Sequence, residues 1–328
     1  MSHLAPTTPP GPLTVRVARK TVEAVDICSF ELVDAGGADL PPFTPGSHID
    51  VHLPNGLVRQ YSLCNDPNER HRYLIAVLRD AGSRGGSRCM HDQLHEGDAL
   101  QIGAPRNQFP LAADASHSVL LAGGIGVTPM LCMAERLWAS GADFQLHYCT
   151  RSRSRTAFHD ALLQRAFAPS IHFHFDDGYA DQRVDLDALT AAPQPDTHLY
   201  VCGPRGFMDA VLERCRRAGW PEEQVHSESF SADLAAMAAG DAFEVMLSRS
   251  GRLVAVPAGQ TVIQALEAVG VSVPTSCEQG VCGTCLTRVL DGEPDHRDSF
   301  LLPAEQARND CFRPCCSRAR SSRLVLDL

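Results

Sequence analysis

The chain has 328 residues, 44% of them hydrophobic and 21% charged. At roughly 100–200 residues per domain, that length suits two or three domains, and so ordinary an apolar content excludes a disordered chain. A net charge of -10 argues against a nucleic-acid binder, which would carry a basic face. No apolar run approaches the ~18 residues of a membrane span, and residues 1–12 lack a basic stretch followed by an apolar one. No membrane association is therefore expected, and the expected location is the cytoplasm. In that compartment the 13 cysteines read as thiols or metal ligands, not as a disulfide framework. Positive charge is almost all arginine, since Lys20 is the only lysine.

Between residues 13 and 110 the pattern is short, β-branched and alternating, as in Leu13-Thr14-Val15-Arg16-Val17 and His48-Ile49-Asp50-Val51-His52-Leu53. With turn signals such as Pro54-Asn55-Gly56, it predicts an antiparallel barrel. From 116 to 230, strands over 118–122, 144–149, 171–175 and 199–202 alternate with helices over 129–140, 157–166 and 207–218, which implies a parallel α/β sheet. An Ala- and Gly-rich stretch over 231–241 reads as a linker. Strands over 244–247 and 253–256 and a helix over 263–269 then lead into a cysteine cluster. The expected domains are a barrel (1–112), an α/β domain (113–232), a linker (233–242) and a C-terminal domain (243–328).

The sharpest signal is Cys277-Glu278-Gln279-Gly280-Val281-Cys282-Gly283-Thr284-Cys285. This is the C-x₄-C-x₂-C spacing of plant-type [2Fe–2S] ferredoxins, which take a fourth thiolate well downstream. Gly280 and Gly283 permit the tight backbone wrap such a cluster needs. Cys311, Cys315 and Cys316 are all available as the fourth ligand. Cys315 is favoured by its interval and its Cys-x-Ser-Arg-Ala context, and Cys316 stays the alternative. Zinc is the competing metal, but it prefers paired cysteine knuckles. The other cysteines read as small buried hydrophobes.

Two glycine turns follow apolar strands and precede helices: Gly123-Gly124-Ile125-Gly126-Val127-Thr128 and Cys202-Gly203-Pro204-Arg205-Gly206. Backbone N–H groups at such a helix start favour an anion, and two such turns on one sheet make a ligand crevice. In the barrel, Arg59-Gln60-Tyr61-Ser62 has Arg59 and Tyr61 on one strand face and Ser62 on the other. The arginine suits a phosphate and the aromatic suits a flat ring. Arg84-Gly85-Gly86-Ser87 offers a second phosphate cradle.

In this order, these pieces closely resemble the phthalate dioxygenase reductase family, which includes the vanillate O-demethylase reductases. The likeness runs from 13 to 328. It rests on Arg59, Tyr61 and Ser62 with Leu63-Cys64-Asn65-Asp66 behind them, on 84–87, on 123–130 and 202–208, and on Glu228-Ser229-Phe230. The resemblance implies a multidomain chain: an antiparallel β-barrel flavin domain, an α/β parallel-sheet nicotinamide domain and a C-terminal β-grasp ferredoxin domain. It implies FMN as the flavin, held by Arg59, Gln60, Tyr61, Ser62, Ala76, Val77, Arg84, Gly85, Gly86 and Ser87, with Phe230 by the ring; FAD stays the alternative. Gly124, Thr128, Cys202, Gly203 and Pro204 would meet the nicotinamide nucleotide.

The adenosine ribose would lie near Thr150 and Arg151, in a run that continues to Arg153 and Arg155. Those arginines suit the 2′-phosphate of NADPH or simply a solvated basic loop. Asp176 and Asp177 suit a ribose hydroxyl, and NADH is the favoured reading. Electrons would pass from NADH through FMN to the [2Fe–2S] cluster and on to a terminal oxygenase of Rieske type. That last step is downhill, from near about −400 mV to about −150 to +300 mV. The alternatives are a reductase serving a P450 or another monooxygenase, and a ferredoxin carrier with vestigial reductase domains.

Overall fold

The computed structural model describes residues 12–82, 85–113, 115–230, 237–275, 278, 280, 283–298, 301 and 303–328. The chain divides into two compact units, Met1–Phe230 and Ser231–Leu328.

Unit 1 opens with β1 (Leu13–Ala24), β2 (Ile27–Asp34), β3 (Ser47–His52), β4 (Val58–Ser62) and β5 (Tyr73–Leu78), then α1 (Gly86–Gln93), β6 (Ala99–Ile102) and β7 (Arg106–Asn107). The sheet order is β4-β3-β6-β1-β2-β5, with β7 on β3. Every pairing is antiparallel. The two ends of that order, β4 and β5, lie against each other, so the sheet curls into the expected barrel. Alternate residues such as Val15, Val17, Phe30, Leu32, Ile49 and Val51 fill its interior, as the period of two requires. β1 runs well past the alternation seen at 13–17, because irregularities near Val17/Arg19 and Val22/Ala24 break the register. An extra residue at such points interrupts the alternation without ending the strand.

The second half of unit 1 holds β8 (His117–Gly123), α2 (Val127–Ser140), β9 (Asp143–Thr150), α3 (His159–Leu163), β10 (Ile171–Phe175), α4 (Leu186–Thr190), β11 (Thr197–Cys202), α5 (Arg205–Arg217) and β12 (Val225–Glu228). The strands are parallel in the order β10-β9-β8-β11-β12. The chain order therefore reverses between β8 and β11, the switch point where doubly wound sheets bind ligands. Leu120, Ala122 and Tyr148 face α2, while Val119, Leu121, Leu199 and Val201 face α5. The helix expected over 157–166 is shorter. Phe158 sits at φ 60, so α3 starts only at His159, and it ends at Leu163.

Unit 2 holds β13 (Phe243–Leu247), β14 (Arg252–Val256), α6 (Val262–Ala268), β15 (Thr287–Asp291), β16 (Pro294–Asp295), β17 (Cys311–Phe312), β18 (Arg318–Ala319) and β19 (Arg323–Leu326). Its main sheet runs β14-β13-β19-β15-β17. A hairpin sits at one edge, β13 and β19 are parallel, and α6 packs on β14. Thr261 and Gln264 form a reciprocal cap that starts α6. Residues 237–241 are tied to this unit: Arg297 donates to the carbonyls of Met237 and Ala239, and Arg318 to that of Asp241.

Candidate functional site

The glycine turns meet at the switch point. A β-carbon on Gly123 would stand 2.9 Å from Phe207 Cδ1 and 3.3 Å from Gly203 Cα, and one on Gly126 would overlap the Cys202 carbonyl. The turns pack back to back because neither has a side chain there. Thr128 is buried, and its hydroxyl donates to the Ile125 carbonyl at 3.1 Å. It shapes the turn, in which Gly124 is half-buried with φ 54. Ile125 rests on Ala76 and Ile27, which joins this turn to the barrel wall formed by Ala76 and Val77.

Three polar groups converge beside the turns. Cys202 and Glu228 are register partners on β11 and β12, and Ser62 at the end of β4 hydrogen-bonds the Glu228 carboxyl. Burial pushes that carboxyl up to about 8, with the Ser62 hydroxyl working the other way; Glu228 Oε2 has no hydrogen-bond partner. Burial, then the nearby Glu228, also raises the Cys202 thiol well above its usual range. The neutral acid is thus the resting form, and an unsatisfied buried oxygen is a group awaiting a partner. Glu228 was quoted above only as part of a motif and given no role. Its signal is tertiary, because nothing local shows that β12 ends against Ser62.

The stretch expected to cradle a phosphate lies at the start of α1. Gly85 is left-handed at φ 101, and a β-carbon on Gly86 would stand 2.7 Å from Arg59 Cγ and 2.8 Å from Arg59 Nε. The arginine therefore lies directly against the glycine backbone, and its guanidinium donates to the Val58 carbonyl at 2.7 Å; a cation beside a helix start suits a phosphate. Ser87 Oγ accepts from the Asp80 N–H at 3.2 Å, which leaves its proton to donate. Tyr61 packs on the barrel core. Gln60 faces the other way and donates to Asp50 Oδ1 at 3.1 Å. Arg84 lies outside the described residues. Phe230 closes unit 1 and is 38% exposed.

In the stretch expected to meet the ribose, the Thr150 hydroxyl is engaged by Thr156 Oγ1 at 2.7 Å and the Ser152 carbonyl at 3.2 Å. Arg155 pairs with Asp26 at 3.3 Å and Arg153 with Asp160 at 3.4 Å. Asp176 and Asp177 continue past β10, and their N–H groups donate to the Thr150 and Arg151 carbonyls.

In unit 2, Gly280 and Gly283 have φ 78 and 84, the wrap that thiolate ligands need. The Cys315 thiol hydrogen-bonds Cys285, Cys316 and the Gly280 backbone. The Cys316 sulfur would be 2.7 Å from a Gly280 β-carbon and lies 3.7 Å from the Arg313 carbonyl, so both thiols border the glycine loop. Close thiols at the rim of a left-handed glycine loop fit an iron–sulfur donor set. Cys277 and Cys282 lie outside the described residues. Elsewhere Cys28, Cys64, Cys89, Cys132 and Cys215 are buried and Cys149 is half-buried.

A doubly wound crevice beside an antiparallel barrel, followed by a cysteine-loop domain, is the architecture of an electron-transferring oxidoreductase. Residues 245–320 match the family of 2Fe-2S iron-sulfur cluster binding domains. The chain is 52% identical over 316 residues to a vanillate O-demethylase oxidoreductase of a Pseudomonas species, covering 96% of this chain and 100% of that protein. A solved phthalate dioxygenase reductase, described as a modular structure for electron transfer from pyridine nucleotides to [2Fe-2S], is 44% identical with a TM-score of 0.74, covering 97% of this chain and 98% of the other. An intact type IV self-sufficient cytochrome P450 monooxygenase matches 97% of this chain with 41% of its own length, at 41% identity and a TM-score of 0.80. The chain belongs to the phthalate dioxygenase reductase and vanillate O-demethylase oxidoreductase family. It is a flavin- and pyridine-nucleotide-binding oxidoreductase with a [2Fe–2S] domain.

Proposed function

We propose that this chain is a cytoplasmic reductase component that takes a hydride from NADH at FMN. Single electrons then leave through a [2Fe–2S] cluster on Cys277, Cys282, Cys285 and Cys315 to a Rieske-type terminal oxygenase. The observation that carries this reading is the convergence of both glycine turns, Ser62, Cys202 and Glu228 at the switch point, beside the Arg59–Gly86 cradle. FMN supplies the conversion of an electron pair into single electrons, and the protein supplies position and electrostatics.

Arg59 and the first N–H groups of α1 neutralise the phosphate, and Tyr61 and Phe230 offer aromatic faces to the ring. Glu228 holds a proton at neutral pH where a nicotinamide and a flavin would meet. The bare backbone of Gly123 and Gly203 lets a nucleotide approach. Asp176 accepts from a ribose hydroxyl and repels a 2′-phosphate, while Arg153 and Arg155 are already paired; both points support NADH over NADPH. The buried thiols suit a reducing compartment.

The test is an anaerobic titration of the purified protein with NADH. Bleaching of a flavin band, followed by the paramagnetic signal of a reduced [2Fe–2S] cluster, is expected. A colourless protein that does not oxidise NADH would overturn the reading. The match to a P450 fusion favours one second reading, a haem monooxygenase as acceptor. Stopped-flow mixing of the reduced protein with a Rieske oxygenase and with a P450 separates the two by which one is reduced.

A further inference from the structure

Lys20, on β1, places its ammonium at the far end of α1. Its Nζ donates to the His91 carbonyl at 2.6 Å and to the Leu94 carbonyl at 2.8 Å, and it stands 5.5 Å from the centre of the Phe30 ring. These carbonyls belong to the last turn and the C-cap of α1, where a helix leaves acceptors without internal partners. A cation there also opposes the negative end of the helix dipole.

The other end of α1 is the Gly85–Gly86 cradle against Arg59. No side chain caps it. This eight-residue helix therefore meets a cation at its C-terminal end and carries no acidic side chain in its first turn. Lys20 is the only lysine in the chain, so its ammonium can be followed on its own.

We propose that Lys20 is a positioning residue for the flavin phosphate, holding α1 so that its first N–H groups meet the phosphate. This rests on the FMN reading above. Apoprotein of the wild type, K20M and K20Q is titrated with FMN and with riboflavin, which lacks the phosphate, by flavin fluorescence. FMN should bind roughly fivefold to tenfold more weakly to both variants, the size of a helix-terminal charge effect, with riboflavin affinity unchanged. Equal weakening of both flavins, or no change for FMN, would overturn the proposal. Wild-type protein that binds neither flavin would instead overturn the FMN reading itself, and this proposal with it.

A second measurement needs no variant. Wild-type apoprotein labelled with [¹⁵Nζ]lysine has one side-chain ammonium resonance. It should move on addition of FMN and not of riboflavin; a resonance indifferent to FMN would overturn the inference.

Discussion

Glu228→Gln should make the protein more stable in alkali while leaving its stability near pH 5 almost unchanged. Burial raises the Glu228 carboxyl from 4.5 to about 8, so the native state holds this proton more tightly than the unfolded chain does. Stability is fully present below the unfolded value. It falls as pH rises from 4.5, because only the unfolded chain then loses the proton, and the loss is complete above about 8. At about 1.4 kcal/mol per tenfold change in proton affinity, the gap corresponds to at most about 5 kcal/mol. Local relaxation and water entry return part of it, leaving about 2–3 kcal/mol. With roughly 2–4 °C of melting temperature per kcal/mol in a unit of this size, E228Q should melt about 5–10 °C above wild type at pH 9. The assay is thermal unfolding of apoprotein across pH 5–9, wild type beside E228Q. Parallel curves over that range would refute the argument that the buried carboxyl is the source.

C315S should lose the iron–sulfur absorption and bound iron while NADH still bleaches the flavin, whereas C316S should keep both. The opposite pattern would exchange the fourth ligand. C285S should likewise retain flavin reduction by NADH and lose one-electron delivery to cytochrome c, measured by haem absorbance. G86A drives a β-carbon against Arg59, an overpacking worth about 1–3 kcal/mol, so FMN should bind about fivefold to a hundredfold more weakly by fluorescence titration. D176N should raise kcat/KM for NADPH relative to NADH by roughly tenfold, since it removes a like charge from the 2′-phosphate; an unchanged ratio would detach Asp176 from the ribose.

Much of the architecture was legible locally. The parallel strands and both glycine turns showed in the sequence because apolar runs of strand length ending in glycine and then helix have few other solutions. The cysteine spacing was equally plain, since three of the four expected ligands fall within nine adjacent residues, whereas the choice between Cys315 and Cys316 was not. The extent of β1 was not, because its bulges break the alternation that reveals a strand. The truncation of α3 was hidden as well, since it depends on a left-handed Phe158 whose side chain gives no such signal. The arginine run over 151–155 read as either a 2′-phosphate site or a solvated basic loop; the pairing of Arg155 with Asp26 was hidden, because it depends on the tip of the β1–β2 hairpin reaching it.

The sequence alone determined which chemistry this chain can host: iron–sulfur ligation, phosphate cradles and a nucleotide crevice, each marked by short local motifs. Only the tertiary structure decided how those groups are tuned. Glu228 is a neutral acid because β12 ends in a buried place against Ser62, and Lys20 matters because β1 passes under the end of α1. The difference is physical. Backbone conformation and ligand spacing are set by neighbours in sequence, whereas desolvation and charge contact are set by neighbours in space.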